Sequence, residues 1–553
     1  MEPFNHNYFL GYINEVTPQF VKIHFPSSNL LAKFYHKGVN FAGGNVGNFI
    51  VIEGEEFGFL ARINEIALPD SEKREINEKL IENDESSFHP SGKAELLLSF
   101  SVFEPQKTQK TASKYPAIGS KVHSCSDEQI SKYVEEFGKK EGDSIFTTIG
   151  KLTSNEADCN VSLNAIFGRH CAIIGTTGGG KSWTVSKLIE SLIQKTNNKI
   201  ILIDATGEYR SIKSSTFILG TNSYFPYQKL TIPDLFFLLR PTGQSQRPIL
   251  LEAIRSLKMM RLIDKNGIYE KRNNQKIKFN KYYKDHIKEI EDNSCNFDIT
   301  YLVPQIKEEC IYPTGRNDIT TWGDYDNKTY DYQTSLISRI TDLINTDIFN
   351  KLMGFDNIHQ SNISIIQAIN EFIPSNMQQN VLRISFEDIP SSFYAKEIVS
   401  NALASYLLNK ARSKEFRNSA VVLFVDEAHQ FLNNRIEDEN SGIQALESFD
   451  LIAKECRKYG LFLCLATQMP KDIPIGTLSQ MGTFIVHRII NEQDKRAVES
   501  AVTSANRTAL SFLPVLGEGE ALLVGVDFPM PLLIKVGRPM CPPLSETPRL
   551  LGK

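Results

Sequence analysis

The 553-residue chain has little that would tie it to a membrane, a metal cluster or an oxidising compartment. No apolar run approaches the ~20 residues that a membrane-crossing helix needs. The start, Met1-Glu2-Pro3-Phe4-Asn5-His6-Asn7, lacks the basic and apolar stretches of a secretory signal, so no export is predicted. The eight cysteines (125, 159, 171, 295, 310, 456, 464 and 541) form no C-x-x-C and no Cys/His cluster at zinc spacing. Several, such as Cys171 and Cys464, lie inside apolar runs, which predicts buried reduced thiols and a cytoplasmic protein. A strong positive charge is also missing. The formal net charge is −4, so any contact with nucleic acid has to come from a local patch or a pore. No low-complexity tract or short repeat occurs. The length suggests about three to four domain-sized units.

Against those absences stands one strong motif. Gly175-Thr176-Thr177-Gly178-Gly179-Gly180-Lys181-Ser182 fits G-x-x-x-x-G-K-[ST], the phosphate-binding loop. The apolar run His170-Cys171-Ala172-Ile173-Ile174 before it reads as a buried strand. Trp183 to Lys195 after it carries Val185, Leu188, Ile189, Leu192 and Ile193 at helical spacing. Strand, glycine loop and helix are the context the motif requires. Backbone amides close around phosphate oxygens there, and the helix start adds partial positive charge. Lys181 would reach the β- and γ-phosphates, and the Ser182 hydroxyl would ligate Mg²⁺. The candidate nucleotide-binding set is Gly175, Thr176, Thr177, Gly178, Gly179, Gly180, Lys181, Ser182 and Trp183.

Residues 1–115 read as an all-β unit. Phe20–Phe25, Asn48–Glu53, Phe57–Ile63 and Glu95–Phe103 are strand candidates separated by turn residues, which suggests a small barrel. The charged stretch 70–85 reads as a long loop or short helix, the polar stretch 104–115 as a loop or linker, and 116–160 as a connecting segment. An α/β core is expected over 161–224 and 376–525, with strands at Lys199–Asp204, Asn380–Phe386, Ala420–Asp426, Leu461–Thr467 and Thr483–Arg488 and a helix across Ala395–Ser413. Residues 225–375 interrupt the alternation as a mostly helical insertion, and 526–553 form a terminal strand and tail. Arg255–Lys284 carries ten Lys/Arg against two Asp/Glu. Both a nucleic-acid-facing helix and an ordinary solvated surface fit that run.

The chemistry gathers around the strand ends. Val421–Val425 runs into Asp426 and Glu427. An apolar strand can deliver Asp426 to hold Mg²⁺ through water, while Glu427 polarises the attacking water. Asp204-Ala205-Thr206-Gly207-Glu208-Tyr209 follows another strand, so Asp204 or Glu208 could assist water or metal. Gln468, in Ala466-Thr467-Gln468, could sense the γ-phosphate. Arg169 and Arg457 are candidates to stabilise developing charge, although spacing does not separate them from surface arginines.

Taken together, these residues resemble the HerA family of hexameric DNA translocases, within the HerA/FtsK group of RecA-like P-loop ATPases. The resemblance rests on His170–Ser182, Asp204–Tyr209, Phe424–His429, Arg457–Leu461, Ala466–Gln468 and the tail Leu516–Gly525. Thr206 stands where such proteins often have histidine. The resemblance implies an α/β fold: a RecA-like core with an N-terminal β-barrel and a helical insertion. It implies a homo-hexamer with ATP and Mg²⁺ at subunit interfaces, where Arg169 and Arg457 would act across the boundary. It implies double-stranded DNA in a central pore, no membrane, and an effector partner, either a nuclease of the NurA type or a sirtuin-like NADase. Anti-phage defence and DNA end processing are both expected settings. An ATP-regulated scaffold that activates a defence effector is the alternative activity.

Overall fold

The structure, a computed structural model, describes residues 4–544 except 19, 37–38, 42, 71, 74–87, 104–107, 110–113, 137–144, 155, 264–266, 356–361, 376–378, 390–393, 433–435, 439–441, 445, 503–506 and 529. The stretches 70–85 and 104–115 fall largely outside these residues.

Six N-terminal strands build the barrel. They are β1 (Phe9–Val16), β2 (Phe20–His24), β3 (Phe49–Ile52), β4 (Phe57–Ala67), β5 (Ser91–Ser101) and β6 (Lys121–Ser124). Their order is β2-β1-β6-β3-β4-β5, and β2 pairs antiparallel with β5 to close the ring. Alternation decides which side chains fill it. In β2, Val21 and Ile23 point inward among Leu10, Ile13, Ile50, Ile52, Ala61 and Val122, while Lys22 and His24 face out. The barrel takes β6 from beyond residue 115, inside the segment read as a connector. Four residues are too few to show a periodic signal.

Among the strands that follow are β7 (Phe146–Leu152), β8 (Asp158–Ser162), β9 (Cys171–Ile174), β10 (Lys199–Asp204), β11 (Ser215–Ile218), β12 (Val381–Ser385), β13 (Val421–Val425), β14 (Leu461–Thr467), β15 (Thr483–Val486), β16 (Glu520–Gly525) and β17 (Leu532–Val536). They divide between two compact units.

The first unit comprises Met1–Asn197, Phe462–Lys471 and Leu478–Lys553. Its strands run in the order β8-β7-β17-β16-β15-β9-β14. The glycine-loop strand β9 lies parallel between β14 and β15, with Cys171 level with Cys464 on one side and Thr483 on the other. Every residue of β9 is buried, which is why it reads as a continuous apolar run rather than an alternating one. Burial also pushes the Cys464 thiol, beside Cys171, well above its usual range. The barrel is anchored within this unit by Arg62, which is 1% exposed. Its guanidinium donates to the Pro531 carbonyl at 3.2 Å and pairs with Glu95 at 3.2 Å.

The second unit comprises Asn198–Leu461 and Asp472–Thr477. Four of its strands form a parallel array, β13-β10-β12-β11. Between β11 and β12 the chain is mostly helical, with helices at Ile232–Leu239, Gln246–Leu262, Lys276–Asp285, Leu302–Glu309, Thr334–Asn345, Asp347–Met353 and Ile365–Phe372. The basic run 255–284 is partly neutralised inside this insertion. Lys271 is buried against Glu309 at 2.6 Å, Arg255 pairs with Glu252 and Glu291, and Arg272 pairs with Asp324. Lys278, Lys281 and Lys284 remain exposed on one short helix. Of these pairs only Lys271–Glu309 is internal; the others lie at the surface. Among the described residues, no helix is long and apolar enough to cross a membrane.

Candidate active site

The glycine loop, 175–180, connects β9 to the helix Lys181–Lys195. The helix begins at Gly180, which offers no side-chain cap, and no acidic residue occupies the first turn. The helix's own first turn therefore carries no acid to compete for its start amides, a condition that favours an incoming phosphate. Gly180 has φ of 106°, and a Cβ at that position would lie 2.9 Å from Gly519 Cα. Only glycine fits this turn without strain. The loop is held from behind by backbone. Gly175 N donates to the Thr467 carbonyl, Thr176 N to that of Arg488, and Gly519 N to that of Gly179. Lys181 is buried, whereas Thr177 and Gly178 lie exposed at the tip.

Gln468 stands where the sequence places it, at the end of β14, and accepts from the Thr177 hydroxyl at 2.6 Å. A group at the strand tip therefore touches the loop directly. Trp183 is 37% exposed, with the Arg538 guanidinium 5.9 Å from its ring centre. In the tail, β16 pairs antiparallel with β17 to form a closing hairpin.

In the second unit, Asp204 ends β10 fully buried. One carboxylate oxygen accepts from Gly207 N at 2.8 Å. The other accepts from Tyr209 N at 3.2 Å and from Arg383 Nε at 2.6 Å. In this geometry both oxygens brace the Asp204–Tyr209 turn from inside. Glu208 is the partly exposed acid of that turn. Sequence reasoning missed two residues here. Arg383, on β12, hides as a lone cation inside an apolar strand. Glu387 pairs with Arg210 and packs against Gly207.

Asp426 and Glu427 follow β13. Asp426 is 2% exposed, and its backbone amide donates to the Ile203 carbonyl at 3.0 Å. Glu427 has φ of 46°, a left-handed conformation that costs a non-glycine residue of order 1 kcal/mol or more. It persists because the next turn is closed by Gln430 N donating to the Glu427 carbonyl. His429 Nδ1 lies 3.2 Å from Glu427 Oε2. That neighbour is visible only as the last letter of Asp-Glu-Ala-His, and the sequence alone did not assign it a task.

Arg169 donates from Nε to Asp527 at 3.0 Å and is about one-third exposed. Arg457 lies exposed on a short 3₁₀ turn, Cys456–Tyr459. Among the described residues, no three His, Cys, Asp or Glu side chains gather closely enough to hold a metal by themselves. A nucleotide-borne Mg²⁺ has no need of such a cage. It takes one or two carboxylates, a hydroxyl and phosphate oxygens.

A parallel strand, a glycine loop with an uncapped helix start and acidic strand ends in an α/β fold together define a P-loop ATPase. Residues 147–411 match the helicase HerA central domain and residues 414–549 the helicase HerA-like C-terminal domain. The chain belongs to the HerA helicase family and is an ATPase of that class. It is 25% identical over 505 residues to a probable helicase of Methanocaldococcus jannaschii, covering 89% of this chain and 86% of the relative. It is 25% identical over 431 residues to the DNA double-strand break repair helicase HerA of Sulfurisphaera tokodaii, covering 76% and 74%. Among solved structures, VirB4 of Thermoanaerobacter pseudethanolicus aligns with a TM-score of 0.46 at 14% identity, over 72% of this chain and 97% of that one.

Proposed function

We propose that the chain is an ATP-driven translocase and helicase on double-stranded DNA, working as a homo-hexamer with Mg²⁺ and a nuclease-type or NADase-type effector subunit in DNA end processing or anti-phage defence. The observation that carries the motor reading is the glycine loop. Its amides begin an uncapped helix, and its tip is touched by Gln468 from a separate strand. Such an arrangement can report the presence of a γ-phosphate to the rest of a subunit. The name carried by the Sulfurisphaera relative supports DNA as the substrate.

In this reading Lys181 and the loop amides from Gly178 to Trp183 bind and orient the triphosphate. Ser182 and Asp426 would hold Mg²⁺, which supplies charge neutralisation at the phosphates. Glu427, in its left-handed conformation and flanked by His429, takes a proton from the attacking water. Arg169 and Arg457 serve a neighbouring subunit's nucleotide.

The test is steady-state ATP hydrolysis with and without linear double-stranded DNA, beside Glu427→Gln, with the assembly mass measured in parallel. DNA-stimulated turnover that falls by roughly 10²–10⁴ in the variant is the expected result. Turnover indifferent to DNA, or unchanged in Glu427→Gln, refutes the motor reading.

A further inference from the structure

His487 follows β15 and is completely buried. Its ring bridges two elements of the first unit. Nδ1 lies 2.8 Å from the Glu520 carbonyl on β16, and Nε2 lies 2.8 Å from the Thr184 hydroxyl on the loop helix. A carbonyl only accepts, so Nδ1 carries the proton and Nε2 is left as an acceptor for Thr184. Burial holds the ring neutral, its pKa pushed down to about 4, and the nearby Lys181 charge acts in the same direction.

The ring also packs where the loop turns. A Cβ built on Gly180 would come within 3.2 Å of His487 Cε1. The main chain around it adds further ties: His487 N donates to the Ile174 carbonyl at 2.7 Å and Thr176 N to the Arg488 carbonyl at 3.1 Å. Thr184 N and its hydroxyl oxygen lie 3.1 and 3.2 Å from the Gly180 carbonyl. One side chain thus joins the helix start, the glycine turn and the closing hairpin.

We propose that His487 is a positioning residue for nucleotide binding: as the neutral Nδ1–H tautomer it ties Thr184 to the Glu520 carbonyl and holds the loop amides ready for phosphate. The proposal rests on reading residues 175–182 as the nucleotide loop. A loop already held in its bound shape loses less freedom when ligand arrives, so releasing the tie weakens affinity even where the fold survives.

The test is a double-mutant cycle in the full chain with Thr184→Val and His487→Leu. Affinity is read by titrating a fluorescent ATP analogue with Mg²⁺, at a temperature where circular dichroism shows the proteins folded. Each single change is expected to weaken binding about tenfold, and the double change by about the same factor, because both remove one connection. Unchanged affinity in Thr184→Val, or a double variant weakened by the product of the two single effects, overturns the proposal. Should His487→Leu fail to fold, Thr184→Ser decides. Affinity restored by the serine hydroxyl supports the tie, and affinity as weak as in Thr184→Val refutes it. Lys181→Ala separates the two layers of the argument, since undiminished binding there sinks the nucleotide-loop reading itself.

Discussion

Replacing Asp204 with Asn separates bracing from chemistry at one atom pair. The substitution keeps the shape and one carbonyl oxygen, which can still accept from Gly207 N. The other oxygen becomes an NH₂ facing the Tyr209 amide and Arg383 Nε, which stand 3.2 and 2.6 Å away in the native chain. Donor then meets donor, and the Arg383 guanidinium, 2% exposed, keeps its charge with no carboxylate beside it. Removing one partner of a buried ion pair costs about 3–5 kcal/mol. Domains have about 5–15 kcal/mol of stability in all, so the second unit should lose a large part of its margin. Adding Arg383→Met removes the stranded cation and should restore much of the loss. A chain of this size does not unfold in one step, so local readout is the sharper assay. Hydrogen exchange at the Gly207 and Tyr209 amides should accelerate strongly in Asp204→Asn and slow again in the double variant. Native exchange at both amides, with ATP turnover abolished, would refute bracing and return Asp204 to the reacting groups.

Two further outcomes follow from the same geometry. His487 titrates near 6.5 when unfolded and at about 4 in the fold, so between those values the unfolded chain binds the extra proton. Stability therefore falls as the pH drops from 6.5 towards 4, by roughly 3 kcal/mol, and the contribution is fully present above 6.5. His487→Gln should flatten that part of the denaturation midpoint against pH, and an unaltered slope would contradict it. Gly207→Ala drives a Cβ into a Glu387 carboxylate oxygen at φ of 83°. It should cost about 1–3 kcal/mol by thermal melting, and Glu387→Ala should recover the clash but not the backbone strain.

The sequence by itself determined whatever depends on local pattern. Continuous apolar runs marked β9, β10, β13 and β14, because strands buried on both faces have no polar side to alternate with. The eight-residue glycine loop and the Asp426-Glu427 pair were legible for a related reason. Phosphate binding needs a fixed short spacing, so the chemistry is written contiguously. Tertiary structure decided what depends on distant partners. The barrel's sixth strand is too short to announce itself. The bracing partner of Asp204, Arg383, lies 179 positions away. His487 carried no motif at all, since its meaning lies in Thr184 and Glu520, 303 and 33 residues distant. A buried polar side chain must find partners wherever the fold supplies them, and no periodicity or spacing records that choice.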